Sequence, residues 1–550
     1  MAINYAKQFN RRATPQSQPI PGSTQVPNSA GGYSWQVNDW MRFDRFLILG
    51  AEGGTYYIAE RDLVAENHAT VVRCIKTDGV RAVNRIVEIS DSGRAPKNDP
   101  AIFALALVAT HGDKEARALA FKNLGKICRI GTHLFHFAEY VNALRGWGRG
   151  LRNAVGSWYV GREADELARQ AVKYQQRDGW SHGDLLRLAH PKAPSAQHDA
   201  VFRCMLSGAD SLGEREVKRK VRGEERVAKY GAVGALPKLI EAFEQAKKAS
   251  SKEAIVKLIT EHALPREAIP TQWLNEVVVW DALLTNMPMT AMIRNLGKMT
   301  SIGLVQPFSE AAKLIVRKLS DETVLKRARI QPLAVLIAEK VYAQGRSDKG
   351  SLTWKPVSQI VDALDAAFYA TFQNVEPSGK PVLLALDVSG SMGGGSVAGS
   401  CLTPREASAA MALVTAATER EYHIMGFSSR FMPLNISPRM RLDDVVKRIS
   451  NLPFEGTDCA LPMLWARENG VNVSAFITYT DSETWAGKIH PSQALRQYRN
   501  EFVGDAKAVV VGMTSNGFTI ADPNDRGMLD VVGFDTTAPA VIADFVRSND

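Results

Sequence analysis

The stretch Pro381-Val-Leu-Leu-Ala-Leu-Asp387-Val-Ser389-Gly-Ser391-Met-Gly-Gly-Gly395 joins an unbroken apolar run to a carboxylate, two hydroxyls at alternate positions and a cluster of glycines. An apolar run without polar alternation suits a strand buried on both faces, at the centre of a parallel sheet covered by helices. Its last residue then stands at the carboxyl end of the sheet, where open α/β sheets bind ligands. Asp387, Ser389 and Ser391, two residues apart on a backbone freed by glycine, form a hard-oxygen surface suited to Mg²⁺ with room for waters.

Around this run, beyond the turn-rich residues 375–380, strands are expected at 381–387, 422–427, 431–436, 475–480, 508–512 and 531–534. Helices are expected between and after them at 404–420, 442–451, 461–469, 491–502 and 538–547. This alternation predicts a doubly wound α/β domain over 373–550. Two more loops reach the same sheet edge, Phe454-Glu-Gly-Thr457-Asp458 and Tyr479-Thr480-Asp481-Ser482, and they add the Thr457 hydroxyl and the Asp481 carboxylate. The loop after Asp387 is not a nucleophile elbow, since Asp387 and Ser389 stand where G-x-S-x-G needs its first glycine. Nor is it a phosphate-binding loop, because no Gly-Lys-Ser/Thr follows the glycines. Asp387, Ser389, Ser391, Thr457 and Asp481 match, residue for residue, the metal-ion-dependent adhesion site of von Willebrand factor A domains, a resemblance that covers residues 380–550. It implies Mg²⁺ or another divalent cation with one open position, which the carboxylate of a protein ligand fills.

Upstream the texture changes. Residues 33–372 read as one helix after another, with candidates at 69–77, 80–90, 101–110, 114–128, 132–144, 164–174 and 182–188, then 236–249, 273–285, 290–298, 308–319, 333–343 and 357–372. Short amphipathic helices that cannot each bury a face alone are expected to stack in pairs as a solenoid. Residues 1–32, rich in Gln, Ser, Pro and Gly, are expected to be mobile, with order beginning near Tyr33. The aromatic and charged stretch from Trp35 to Leu49 has helical spacing and is stopped by Gly50.

A chain of 550 residues exceeds one ordinary core, so several domains are expected. The 45% hydrophobic and 23% charged content is that of a soluble globular protein, and no run of about 18 apolar residues marks a membrane span. Without a signal pattern, and with five scattered cysteines never spaced as CxxC, the expectation is reduced thiols in a cytoplasmic, monomeric protein. The net charge of +9 is unevenly placed: from Thr371 onward there are 15 Lys and Arg against 20 Asp and Glu, and before it 52 against 38. A basic helical part joined to a mildly acidic one points to a polyanion partner for the former, with nucleic acid first among the candidates.

One stretch of the basic part concentrates candidates: Lys173-Tyr-Gln-Gln-Arg177-Asp-Gly-Trp180-Ser-His182-Gly-Asp-Leu-Leu-Arg187-Leu-Ala-His190. Lys173 and Arg177 are four apart, which on a helix presents two cations to adjacent phosphates. Gly179 is expected to close that helix, Ser181 to cap the next one carrying His182, Arg187 and His190, and Trp180 to wedge between the two. His133-Leu-Phe-His136 reads as core packing, because no Cys or Glu completes a metal constellation there. The mixed charge run 214–226 reads as a solvated helix or flexible loop.

That concentrated stretch, with Arg42-Phe43-Asp-Arg45-Phe-Leu-Ile-Leu-Gly-Ala-Glu-Gly-Gly-Thr55-Tyr56-Tyr57, Cys128-Arg-Ile-Gly-Thr-His133-Leu-Phe135, Gly146-Trp-Gly-Arg-Gly-Leu-Arg152 and Met287-Pro-Met-Thr-Ala-Met-Ile-Arg294-Asn-Leu-Gly-Lys298-Met, resembles the TROVE module of the Ro ribonucleoprotein autoantigen family over 33–372. The resemblance implies a ring of HEAT-like helical repeats whose ends are held by the A domain. It implies a non-catalytic scaffold that binds small noncoding Y RNA on its outer basic surface and takes single-stranded 3′ ends of misfolded noncoding RNA through a central hole, for RNA quality control and stress survival. Lys173, Arg177 and His190 fall on the family's Y RNA contact positions. Arg187 is a further RNA-binding candidate, and Arg145, Arg149, Arg152, Arg294 and Lys298 are RNA-binding candidates for the rim or wall of the hole. In bacterial relatives the Y RNA can also tether a 3′ exoribonuclease. A nuclease of its own would need a paired-carboxylate or histidine constellation in the basic part, and an extracellular adhesion protein would need a signal and disulfides.

Overall fold

The computed structural model describes residues 13–50, 60–91, 95, 97–213, 215–221, 224–230, 234–328, 330, 332–347, 350–375, 377–394, 397, 401–452, 456–513, 517–532 and 538–547. Expectations for residues 1–12, for Thr55-Tyr56-Tyr57 and for Gly395 lie outside these residues. The described chain starts with β1 (Gln25–Pro27) and β2 (Tyr33–Gln36), an antiparallel pair.

The helical array opens at Asp39–Leu49. Asn38 caps it, its side chain accepting from the Met41 N–H at 2.9 Å, and Gly50 at φ 68° ends it where a side chain would be strained. Helices then follow through Glu60–Thr77, Asp99–His111, Gly131–Leu144, Arg149–Val160 and Ala164–Lys173 to Pro332–Ala343 and Ser358–Ala370. Packing partners are near neighbours in sequence: Asp99–His111 lies on Gly131–Leu144, Lys238–Lys248 on Lys252–His262, and Pro332–Ala343 on Ser358–Ala370. This is the local contact pattern of a stacked repeat, each unit burying the face its neighbour leaves open.

Two hairpins interrupt the helices, and both correct the sequence reading. The helix ending at Lys173 does not continue to Arg177: Gln176–Arg177 (β3) and Trp180–Ser181 (β4) pair antiparallel. Asp178 and Gly179 stand at φ 52° and 79° between them, the double positive φ of the tight hairpin turn that Asp-Gly favours. Gly179 therefore makes a turn and is not a helix stop. The charge run is likewise neither helix nor loop. Arg215–Val221 (β5) pairs with Glu224–Tyr230 (β6), in a register that sets Lys220 opposite Glu225 and Glu216 opposite Lys229.

In the second domain, Val382–Asp387 (β7), Tyr422–Phe427 (β8), Phe431–Pro433 (β9), Ala475–Thr480 (β10), Lys507–Gly512 (β11) and Met528–Val532 (β13) form a sheet ordered β13-β11-β10-β7-β8-β9, with Phe518–Thr519 (β12) outside it. All pairings are parallel except β9 on β8. Every residue of β7 is buried. Val382, Leu384 and Leu386 join a core continuous with that of the helical array, while Leu383 and Ala385 join the core under the other face with Phe427, Phe476 and Leu495. Each such buried Val or Leu contributes roughly 1.5–3 kcal/mol, which offsets the cost of burying Asp387 at the strand's end.

Both ends of the array dock on this domain. At the start, Arg45 reaches Asp530 of β13. At the finish, Lys340 pairs with Glu406, Arg441 pairs with Asp365 and lies 4.8 Å over the Tyr369 ring, and the Tyr369 hydroxyl accepts from the Leu442 N–H at 2.9 Å. Residues 13–32, expected to be mobile, are held here too. β2 pairs with β12, so the first described strands extend a small sheet of the A domain, and Gln16, Gln25 and Asn28 are buried. Polar composition misleads at this point because the segment is fixed by hydrogen bonds, not by apolar burial.

Candidate functional site

The port at the carboxyl edge of β7 and β10 is assembled from three loops. Asp387 is fully buried; one oxygen accepts from the Ser389 N–H at 2.9 Å and the other from the Thr480 hydroxyl at 2.7 Å. A short 3₁₀ turn, Gly390–Gly393, follows and brings the Ser389 and Ser391 hydroxyls to 3.1 Å from each other. Asp481 lies beyond β10, hydrogen-bonded by Ser391 and by the Glu483 N–H at 3.1 Å. Thr457 is buried, and its carbonyl accepts from the N–H groups of Trp485 and Ala486, both at 3.0 Å, which staples its loop to the one carrying Asp481. The five expected ligands thus come to one sheet edge. Three supporting residues carried no sequence signal of their own. Thr480 orients Asp387, Arg405 donates to the Val388 and Ser389 carbonyls at 3.4 and 3.0 Å, and Gln16 bonds Asp458 beside Thr457.

The electrostatics of the port suit a cation. Burial, and then the neighbouring Asp481 charge, push the Asp387 carboxyl up to about 7, and burial raises Asp481 as well. The two carboxyl groups thus feel each other beside the Ser389 and Ser391 hydroxyls. Among the described residues no cluster of three or more His, Cys, Asp or Glu offers a softer or more acidic site. The donor set is hydroxyl and carboxylate oxygen, which fits a hard divalent ion that retains water.

The second set of candidates lies on the helical array. Lys173, Arg177, Arg187 and His190 are all exposed and come from one continuous helix, hairpin and helix unit. Lys173 closes its helix with its ammonium 5.4 Å from the Tyr174 ring and, among the described residues, no carboxylate partner. Arg177 projects from β3, 3.8 Å from Asp178. Ser181 caps His182–Ala189 in a reciprocal box with Asp184, as expected. Arg187 is partly committed, donating to Asp184 at 3.1 Å and to the Leu206 carbonyl at 2.8 Å. His190 ends the helix in the left-handed region at φ 49°. Trp180 is a wedge, tilted on Trp147 with its indole N–H donating to Glu139 at 2.7 Å.

Arg149 and Arg152 stand exposed on Arg149–Val160, which packs on the helix His182–Ala189, and Arg149 lines a groove with Lys114, Arg117 and Arg145. Arg294 and Lys298 are elsewhere: they line a cavity of about 660 Å³ with Arg266, Ile337 and Trp354. His182 is buried between Tyr159, whose hydroxyl lies 2.8 Å from Nδ1, and the Gln170 carbonyl at 3.3 Å from Nε2, and burial pulls its pKa down to about 4. His133 is lowered to about 4 by the same cause, and its partner in the motif, His136, hydrogen-bonds Asp178.

Comparison with known proteins follows these two sites. A family model for the TROVE domain matches residues 26–341, and one for the Ro60 vWA domain matches residues 381–546. The chain is 41% identical over 547 residues to the RNA-binding protein RO60 of Deinococcus radiodurans, covering 99% of each chain. It is 37% identical to the RNA-binding protein RO60 of Caenorhabditis elegans, covering 95% of this chain and 90% of that one. The crystal structure of the Deinococcus radiodurans RO (RSR) protein superimposes with a TM-score of 0.70 at 41% identity, covering 92% of this chain and 99% of that chain. The chain therefore belongs to the RO60 family of RNA-binding proteins, a TROVE domain followed by a Ro60 vWA domain.

Proposed function

We propose that this chain is a non-catalytic cytoplasmic scaffold that holds a small structured Y RNA on the basic face around Lys173, Arg177 and His190, and admits single-stranded 3′ ends of misfolded noncoding RNA to the interior of the helical array. The supporting observation is the exposed helix, hairpin and helix unit, where four basic side chains stand close in sequence and, among the described residues, no carboxylate pairs with Lys173. RNA duplexes offer mainly phosphates and 2′-hydroxyls, so a cationic face holds them with little reading of sequence. Arg149, in its groove with Lys114, Arg117 and Arg145, gives a second basic patch, and Arg294 and Lys298 supply cations to the cavity between Met289–Ser301 and Pro332–Ala343.

At the port, Asp387, Ser389, Ser391, Thr457 and Asp481 would hold Mg²⁺, which when bound offers an open position to a carboxylate of a protein partner. The chain itself buries Asp387, Ser389, Thr457 and Asp481 and leaves Ser391 half-buried. Tethering of a 3′ exoribonuclease through the bound RNA fits this division of labour, with RNA on the array and protein at the port. Sequencing of RNA that copurifies with the full chain tests the reading. Short structured noncoding RNA together with fragments carrying unpaired 3′ tails is expected, and RNA indistinguishable from the bulk cellular pool would reject it.

A further inference from the structure

Residues 13–36 are applied to the port side of the A domain. Gln16 is fully buried; its amide nitrogen donates to Asp458 Oδ1 and to the Ile489 carbonyl, both at 2.7 Å, and its amide oxygen accepts from the Thr484 hydroxyl. Its backbone N–H bonds the Gly487 carbonyl at 2.8 Å. Asn28 donates to the Thr484 carbonyl at 2.8 Å, the Ser34 hydroxyl to the Ser482 carbonyl at 3.1 Å, and the N–H groups of Ser29 and Ala30 to Glu483 at 2.9 and 3.3 Å. Gly32 passes so close that a Cβ there would stand 2.0 Å from the Thr484 carbonyl oxygen.

These partners belong to the two loops that carry Thr457 and Asp481. Apart from Trp35, which is buried edge-on to His490, the segment buries mainly polar groups, and each hydrogen bond exchanged with water nets only about 1 kcal/mol, so adhesion alone is a poor account of so many directed contacts. Groups that bond the loops behind a metal's ligands set the ligands' spacing. The segment also runs directly into the array: β2 pairs with β12, the Val37 N–H bonds the Gly517 carbonyl at 2.8 Å, and Asn38 caps Asp39–Leu49.

We propose that residues 13–36 are a strap that positions Thr457 and Asp481 for a divalent cation and couples the port to the first helix of the array. The inference rests on the reading of the port as a cation site. Gln16 and Asn28 are positioning residues; they touch the loops, not the ion. Because linkage is reciprocal, cation binding tightens the strap and the helix that follows it.

The test is Mg²⁺ titration of the full chain by calorimetry, with hydrogen exchange in the presence and absence of Mg²⁺. Gln16→Ala and Asn28→Ala are each expected to weaken Mg²⁺ binding by about tenfold or more, the usual effect of losing a supporting group, with helix content unchanged by circular dichroism. Should Gln16→Ala fail to fold, Asn28→Asp serves in its place. It keeps the acceptor for the Ala30 and Gly32 N–H groups and removes the amide donor that reaches the Thr484 carbonyl and the Ser34 hydroxyl. In the unaltered chain, Mg²⁺ is expected to slow exchange in residues 25–49 as well as in the port loops. Unchanged Mg²⁺ affinity in a folded variant would overturn the strap, and protection confined to the port loops would overturn the coupling. A wild-type chain that takes up no Mg²⁺ would instead overturn the port reading beneath both.

Discussion

Arg45 and Asp530, 485 residues apart in the chain, form an ion pair at 2.7 Å in which each side chain is only 1% exposed. The guanidinium also donates to the Phe518 carbonyl at 2.9 Å, and the Thr519 hydroxyl donates to the carboxylate at 2.6 Å. A buried pair of this kind adds little over apolar packing, but removing one partner strands a charge. Asp530→Ala is therefore expected to cost about 3–5 kcal/mol and to raise hydrogen exchange in Asp39–Leu49. The double change Arg45→Met with Asp530→Leu should recover most of that loss. Equal unfolding midpoints for wild type and Asp530→Ala would show that the array's first helix is held by other contacts.

Lys173→Ala combined with Arg177→Ala is expected to weaken binding of a Y RNA and to lower the slope of log affinity against log salt by about two counterions, with the fold intact. The two residues stand on different elements, a helix end and a strand, so their effects should add. Fluorescence anisotropy over a salt series reads this directly, and an unaltered slope would remove them from the phosphate contacts. Arg187→Ala should differ by also lowering stability, since it severs the bond to the Leu206 carbonyl.

Asp387→Ala is expected to abolish Mg²⁺ uptake while RNA affinity stays within twofold, about 0.4 kcal/mol. The variant removes one of the two mutually repelling carboxylates, so the apo domain should be no less stable. Calorimetry with Mg²⁺ and a parallel RNA titration separate the two sites. Loss of RNA affinity with intact helix content would show that they are one.

The buried His182 sets an acid limit on the array. Its pKa is lowered to about 4 by burial, so in the folded state it stays neutral where the unfolded chain, near 6.5, takes up a proton. Its contribution is fully present above about 6.5 and is lost as pH falls toward 4, at up to about 1.4 kcal/mol per pH unit. His133, also lowered to about 4, adds a second such loss. His182→Gln is expected to be less stable at neutral pH and to show a shallower decline between pH 6.5 and 4 in thermal unfolding. An identical slope in variant and wild type would show that His182 titrates normally.

The A domain was legible almost strand by strand. Tyr422–Phe427 and Ala475–Thr480 are found at the expected bounds because buried parallel strands are short apolar runs with clear turns at each end. That Asp387, Ser389 and Ser391 share one loop was readable because their spacing is local, and that Asp481 reaches the same edge was readable because those apolar runs fix the strand ends. Lys173 and Arg177 misled because Tyr-Gln-Gln suits a helix, although the Asp178-Gly179 pair signalled a hairpin turn. Gln16 could not have been read at all. A buried glutamine is satisfied only by partners such as Asp458 and Thr484, more than four hundred residues away, and no local pattern encodes them.

The pairing of β2 with β12 has a consequence for synthesis. A ribosome adding roughly 5–20 residues per second makes Arg45 some 25–100 s before Asp530, given the 485 residues between them. Through that interval the helical array emerges with its opening strands and its buried arginine unmatched. Closure therefore waits until β12 and β13 have been made, long after the first helix of the array.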